Sequence, residues 1–468
     1  MKTSILFLLL LTILPFQNIL SREENLTGSW LGVLKLGGFE LRVVFKVTEE
    51  NGELSALLDS PDQGAYGIFV DSVIYNYPDV KFVILAIAGF YEGKFEQDSI
   101  AGTWNQAGQS FPLVLHRSEE ILPPERPQDP KPPFPYLEEE VTFENKDASL
   151  TLAGTFTYPE NQDNIPAVIL ISGSGPQDRN EELLGHKPFF VLADHLTRNG
   201  IAVLRFDDRG TGKSTGDFSS ATTMDFVTDV LAAVEYLKTR TDISLGKIGL
   251  IGHSEGGLVA PLVSVESDDI DFIVLMAAPG MPGKEILRLQ TELILKANGM
   301  NEDEIKKTVD INMKLYDIVL SEEDSSIAVK KLKEVFDESY SEMSEEEKNR
   351  IGNPDAYFQQ QTRILLNPWF KFFLKYDPYE TLTKVNVPVL AVNGEKDLQV
   401  PPKENLSLIE KAFKEGGNEN YKIVELPGLN HLFQEAETGS PNEYSQIKQT
   451  IAPSALNLIT DWIKEITK

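Results

Sequence analysis

At 468 residues the chain exceeds what one ordinary hydrophobic core supports and calls for two or three domains. Its 41% hydrophobic and 25% charged residues are those of a globular protein, and a net charge of −29, from 43 basic against 72 acidic residues, argues against nucleic acid or an anionic membrane as partner. With no cysteine, disulfides, a thiol nucleophile and thiolate metal ligation are excluded.

Residues 1–21 place Lys2 ahead of an apolar stretch, 5–14, that is short for a bilayer crossing. This reads as a signal peptide and predicts an exported protein, periplasmic or extracellular, with an uncleaved anchor as the alternative. From 22 to 120, short alternating runs such as 41–47 and 80–87 are broken by turn signals at Asn51-Gly52, Pro61-Asp62 and Pro78-Asp79. They predict an antiparallel, β-barrel-like domain. Two similar phrases, around Trp30 and Trp104, read as related strands that close it. Their tryptophans belong in its core, since Trp is highly buried on average, with a carbohydrate- or partner-binding role as the alternative. Seven prolines within 121–136 predict an extended, semi-rigid linker.

From 137 onward strands alternate with helices: strands at 167–172, 201–206, 248–252 and 272–277, and again at 387–393 and 421–426. Helices fall at 189–199, 224–240, from Glu255, at 404–415 and, closing the chain, at 444–467. An opening hairpin is expected at 141–143 and 150–158. The pattern predicts an α/β domain, 137–281 with 384–468, built on a mostly parallel sheet with helices on both faces. Between them, 282–383 is helical and charged and reads as a cap insertion over the sheet.

The stretch Gly252-His253-Ser254-Glu255-Gly256 breaks an apolar run and resumes as a helix, which places Ser254 at the apex of a G-x-S-x-G turn. A serine hydroxyl needs a base to take its proton, and the chain has five histidines. His116 lies in the first domain, His186 and His195 fall in or beside a helix, and His253 points away if Ser254 points out. His431 follows the last strand and is the base by elimination. Asp397, in the turn after the strand at 387–393, is the acceptor that holds its tautomer, with Glu395 as competitor. The order Ser254, Asp397, His431 is that of α/β-hydrolases. Oxyanion donors are expected from the N–H of Glu255 and from the loop after 167–172, at Ser174 and next at Gly175. The run 207–214 ends like a phosphate-binding loop but has Asp207 where its first glycine belongs, and 173–178 lacks the last glycine of a dinucleotide fingerprint. Neither ATP nor NAD is implied, no metal-ligand spacing occurs, and no cofactor is expected.

On the phrases at 172–179, 208–214, 252–257, 394–397 and 430–431, the chain from about Val141 to the end resembles the serine α/β-hydrolases, in the bacterial carboxylesterase branch near the prolyl-aminopeptidase-like serine peptidases. Ser172-Gly173 stands where many relatives have His-Gly. The first domain is similar to the β-rich N-terminal extensions of some exported esterases. The resemblance implies an α/β-hydrolase fold and cofactor-free cleavage of a small-molecule ester through an acyl-enzyme on Ser254. Short to medium acyl chains are expected, with the cap forming the acyl pocket from Trp369, Phe370 and Phe373, or those aromatics forming the cap's own core. Competing readings are an aminopeptidase, in which Glu255 would help hold a substrate ammonium, a thioesterase, and a non-catalytic protein that binds through its β domain.

Overall fold

In the computed structural model, which describes residues 25–468 except 37–38, 64, 97, 107–108, 120–124, 161 and 352, two separate sheets divide the chain. The expected signal peptide lies outside the described residues. The first sheet contains nine antiparallel strands: β1 (Gly28–Leu36), β2 (Phe39–Glu50), β3 (Glu53–Ser60), β4 (Ala65–Phe69), β5 (Ser72–Asn76), β6 (Asp79–Ile84), β7 (Gly89–Glu96), β8 (Ser99–Gln106) and β9 (Gln109–Ser118). Their order is β4-β3-β2-β1-β9-β8-β7-β6-β5, and the two end strands do not pair, so the curled sheet is a half-barrel. Alternation sends Val43, Phe45 and Val47 of β2 and Val80, Phe82 and Ile84 of β6 inward. There Phe45 and Phe82 stack at 4.2 Å. The two tryptophan strands, β1 and β8, flank β9, and Trp30 and Trp104 are both buried in this core. The Trp30 indole donates to Leu26 O at 2.7 Å, which satisfies its polar edge.

The described part of the proline-rich segment is a strap on the second domain. Arg126 donates to Leu184 O, Ser445 O and Ile447 O, Gln128 accepts from the N–H of Thr450, and the Tyr136 hydroxyl donates to Asp194. Within the strap the Asp129 N–H donates to Arg126 O at 3.1 Å, so the segment is turned rather than uniformly extended.

The second sheet comprises β10 (Leu137–Asn145), β11 (Leu150–Tyr158), β12 (Ile165–Ile171), β13 (Ala202–Phe206), β14 (Leu245–His253), β15 (Phe272–Met276), β16 (Val389–Gly394) and β17 (Tyr421–Leu426). Their order is β10-β11-β13-β12-β14-β15-β16-β17, with β10 and β11 antiparallel and the others parallel. Both faces are covered at the centre, which is why β12 to β16 read as mostly apolar runs, while the edge strands β10 and β17 carry charged residues. In β12, Ala167, Ile169 and Ile171 pack with α2 (Thr223–Thr239) and α3 (Gly256–Glu266). Val168 and Leu170 of the same strand pack on the other side with α1 (Pro188–Arg198). Each valine, leucine or isoleucine among these, fully buried, contributes roughly 1.5–3 kcal/mol.

The insertion is α4 (Gly283–Ala297), α5 (Glu302–Ser321), α6 (Ser325–Glu342), α7 (Glu345–Ile351), α8 (Pro354–Leu365) and α9 (Pro368–Lys375), followed by the short α10 (Tyr379–Leu382). Beyond it lie α11 (Pro402–Gly416) and α12 (Pro453–Ile466). The closing helix is shorter than the 444–467 expected. Pro453 is its first residue, and Ala452 before it is held extended at ψ 138, as the residue before a proline prefers. No helix among the described residues is long and apolar enough to cross a membrane.

Candidate active site

Between β14 and α3 the chain turns within two residues, and Ser254 sits in the turn at φ +52. A non-glycine residue there costs on the order of 1–3 kcal/mol and persists only where the surroundings enforce it. The enforcement is visible in the flanking glycines. A Cβ on Gly252 would lie 2.0 Å from Gly256 O, and one on Gly256 would lie 2.1 Å from Ile171 O. Hydrogen bonds from Ser254 N to Met276 O and from Gly257 N to Ser254 O, both 2.9 Å, pin the turn to β15 and α3.

Loops after β16 and β17 supply the next two groups. Asp397 has its side chain fully buried, and one carboxylate oxygen accepts the N–H groups of Gln399 and Val400 at 2.8 and 2.9 Å. Its other oxygen is 2.8 Å from His431 Nδ1. A buried carboxylate on Nδ1 fixes the proton there and leaves Nε2 as the acceptor. Glu395, the competing carboxylate, is exposed and accepts Gly428 N–H instead. Ser254 and His431 line one cavity of about 260 Å³, together with Gly173, Ser174 and Glu255. The Glu255 N–H has no protein acceptor among the described residues, so it is available to a ligand oxygen. Ser174 is on the cavity wall; Gly175 is not.

Two family models match parts of the chain: the serine aminopeptidase (S33) model over residues 187–325 and the prolyl oligopeptidase family model over 343–450. Esterase EstD of Thermotoga maritima is 28% identical over 324 residues, covering 69% of this chain and 68% of its own length. Among solved structures, an esterase of Pyrococcus furiosus is 15% identical with a TM-score of 0.42, over 71% of this chain and 90% of that one. A proline iminopeptidase of Mycobacterium smegmatis is 15% identical with a TM-score of 0.43, over 70% and 99%. The chain has an α/β-hydrolase fold and is similar to serine hydrolases and esterases.

In this hydrolase a second histidine–carboxylate pair lies directly behind the first. His253 Nδ1 is 2.8 Å from Glu181 Oε1, and its Nε2 is 3.0 Å from the carbonyl oxygen of His431. The same Glu181 oxygen accepts the N–H of Gly173 at 2.7 Å. One carboxylate therefore ties the loop after β12 to the residue preceding Ser254 and, through it, to the His431 loop. Burial works to lower the His253 pKa, but the Glu181 carboxylate, the His431 carbonyl and Asp397 together outweigh it and the net shift is upward. Sequence reasoning gave His253 no role and missed Glu181. Glu181→Gln keeps the volume and an oxygen that can accept both donors but removes the charge that holds the His253 imidazole. We expect kcat to fall by about 10- to 100-fold with KM little changed, the size of effect that follows small misplacement of reacting groups. Steady-state kinetics beside circular dichroism check this; unchanged kcat in a folded variant contradicts it.

The loop after β12 has a further anchor. Asp208 accepts from Ser172 Oγ and from the Gln177 N–H, both at 2.9 Å, and burial pushes its pKa up to about 8 from 3.8. A group whose pKa is raised by folding stabilises fully below its unfolded pKa and loses that contribution as pH rises toward the folded value. Stability from Asp208 therefore declines between about pH 4 and about pH 8. Asp208→Asn, which retains an acceptor and cannot ionise, should be the more stable protein at pH 8 by at least about 1 kcal/mol, with the gap closing near pH 4. Thermal melts of both proteins across that range test it, and a pH-independent gap contradicts it. Neighbouring Asp207 is occupied by the Arg179 guanidinium and the Lys213 N–H, so the run 207–214 is a salt-bridged structural loop.

The cap contributes only part of what the sequence suggested. Trp369 and Phe373 line the cavity, their rings stacked 5.4 Å apart. Phe370 does not; it packs edge-on against Tyr316 of α5 inside the cap, where neighbours one position apart on a helix diverge. The Trp369 indole N–H and the Thr223 hydroxyl both donate to Glu255 Oε1 at 2.7 Å, which fastens the cap to the residue after Ser254. Burial raises the Glu255 pKa, against the hydrogen bonds from Thr223 and Trp369. Ile286, Leu287 and Gln290 of α4 complete the wall and were missed, because an amphipathic cap helix reads the same whether it faces a pocket or its own core.

Proposed function

We propose that this hydrolase cleaves carboxylic esters of short to medium acyl chains through an acyl-enzyme on Ser254. The observation that carries the reading is the buried Asp397–His431 bond beside a serine held at positive φ in one cavity. Ser254 Oγ attacks the carbonyl carbon while His431 Nε2 takes its proton. The resulting oxyanion accepts the N–H groups of Glu255 and Ser174, each such donor being worth about 2.7–4 kcal/mol in comparable sites. Collapse expels the alcohol, which takes the proton from His431 and leaves the acyl group on Ser254. Water then gives a proton to His431 and attacks the acyl carbon, and Ser254 is regenerated as the carboxylic acid departs.

The ester reading is favoured over the aminopeptidase one by the state of the carboxylates in the cavity wall. Recognition of a substrate ammonium needs an ionised, unengaged carboxylate. Glu181 is engaged by His253 and Gly173, while Glu255 is buried, its Oε1 bonded to Trp369 and Thr223, its Oε2 without a protein partner among the described residues, and its pKa raised by burial. A volume of about 260 Å³ is below the roughly 300–1,000 Å³ of pockets that take drug-sized ligands, in keeping with short to medium acyl groups. Rates on p-nitrophenyl acetate, butyrate, octanoate and palmitate, beside amino-acid arylamides and acyl thioesters, test the proposal. We expect the butyrate and octanoate esters to lead; faster cleavage of arylamides or thioesters would overturn it. Export by the N-terminal segment belongs to the same proposal, and N-terminal sequencing of the protein recovered from its native cell envelope or medium tests it.

A further inference from the structure

The half-barrel holds a second cavity, of about 610 Å³, more than twice the volume of the one at Ser254. It opens to solvent where Gln63 and Gln360 are exposed, and its apolar wall runs into the half-barrel core. Its floor is Leu34, Val43, Leu58 and Trp104, all buried. Its polar lining is Ser60, Gln63, Gln106, Gln109 and, reaching across from cap helix α8, Gln360. Among the described residues, no charged side chain lines this space.

The polar groups divide into those already used and those left over. Gln106 accepts from the Trp104 indole and donates to Ile87 O, and Gln63 Oε1 accepts from Ser60. Among the described residues, the Gln63 amide nitrogen and the whole carboxamides of Gln109 and Gln360 have no protein partner. Such groups offer both donors and acceptors but no charge. A carboxylate or ammonium brought here finds no counter-charge in the lining, whereas an ester or hydroxyl head would be satisfied by the carboxamides.

We propose that the half-barrel is a binding site for a neutral single-chain lipid, its tail against the Leu34–Trp104 floor and its ester or hydroxyl head at the glutamines. The site is separate from Ser254, and the proposal does not rest on the esterase reading. Isothermal titration of the full chain with dodecyl glycerol ether, which no esterase cleaves, measures binding without turnover. One equivalent should bind, and dodecanoate should bind at least roughly tenfold more weakly because its charge is uncompensated. Ile68→Trp, which fills the cavity from β4, should weaken ether binding by at least roughly tenfold while p-nitrophenyl butyrate hydrolysis is unchanged. Gln109→Lys supplies a counter-charge and should reverse the preference toward dodecanoate, a gain that a misfolded domain could not produce. No ether binding by the wild type, equal binding of dodecanoate, or ether binding unaffected by Ile68→Trp would each overturn the proposal.

Discussion

Ser254→Ala is expected to lower kcat on p-nitrophenyl butyrate by about 10⁴- to 10⁶-fold, leaving a folded protein. Alanine adopts the strained φ as readily as serine does, and the glycines and hydrogen bonds that enforce the turn involve only backbone. What is lost is the atom that would form the covalent bond. The residual rate should come from the unoccupied oxyanion donors and substrate binding alone. Near-UV circular dichroism together with kcat decides the matter, since a folded Ser254→Ala protein with more than a few per cent of wild-type activity would place the chemistry elsewhere.

The second large effect is expected at Asp397. In Asp397→Asn the remaining carbonyl oxygen can still accept the Gln399 and Val400 N–H groups, so the loop should hold. The amide then presents N–H to His431 Nδ1, which must become an acceptor; the proton moves to Nε2, and the base can no longer take the serine proton. A loss of about 10⁴-fold in kcat is expected from this wrong tautomer. Glu395→Gln is the control, since that carboxylate is exposed and bonded to Gly428 N–H. A full loss in Glu395→Gln with activity retained in Asp397→Asn would exchange their roles. In the wild type, activity should fall on the acid side as the imidazole base is protonated.

Both substitutions fall on residues that the sequence singled out, and the physical reasons are specific. The elbow was legible because only glycine fits at 252 and 256, and both positions carry it. His431 was legible because histidine is scarce, with five in the chain and the others assigned elsewhere. The sheet was legible because strands buried on both faces leave apolar runs that glycine and aspartate loops interrupt. Glu181 was not: it is one of 72 acidic residues, and its position depends on a turn with positive φ at Glu181 and Leu184 that no local pattern announces. Arg126 was hidden for a different reason. Its carbonyl partner at Ile447 is 321 residues away, and a proline-rich composition states the backbone's stiffness without stating what it lies against. The Phe370 expectation treated a run of aromatics as one wall, although helical geometry puts Trp369 and Phe373 on one face and turns Phe370 toward Tyr316.

The central claim is that Ser254 is an activated nucleophile, and a fluorophosphonate probe reads that property without any assumption about substrate. We expect wild-type protein to be labelled stoichiometrically, with peptide mapping placing the adduct on Ser254, and Ser254→Ala to remain unlabelled. Equal labelling of the two proteins, or no labelling of a folded wild type, would contradict the account.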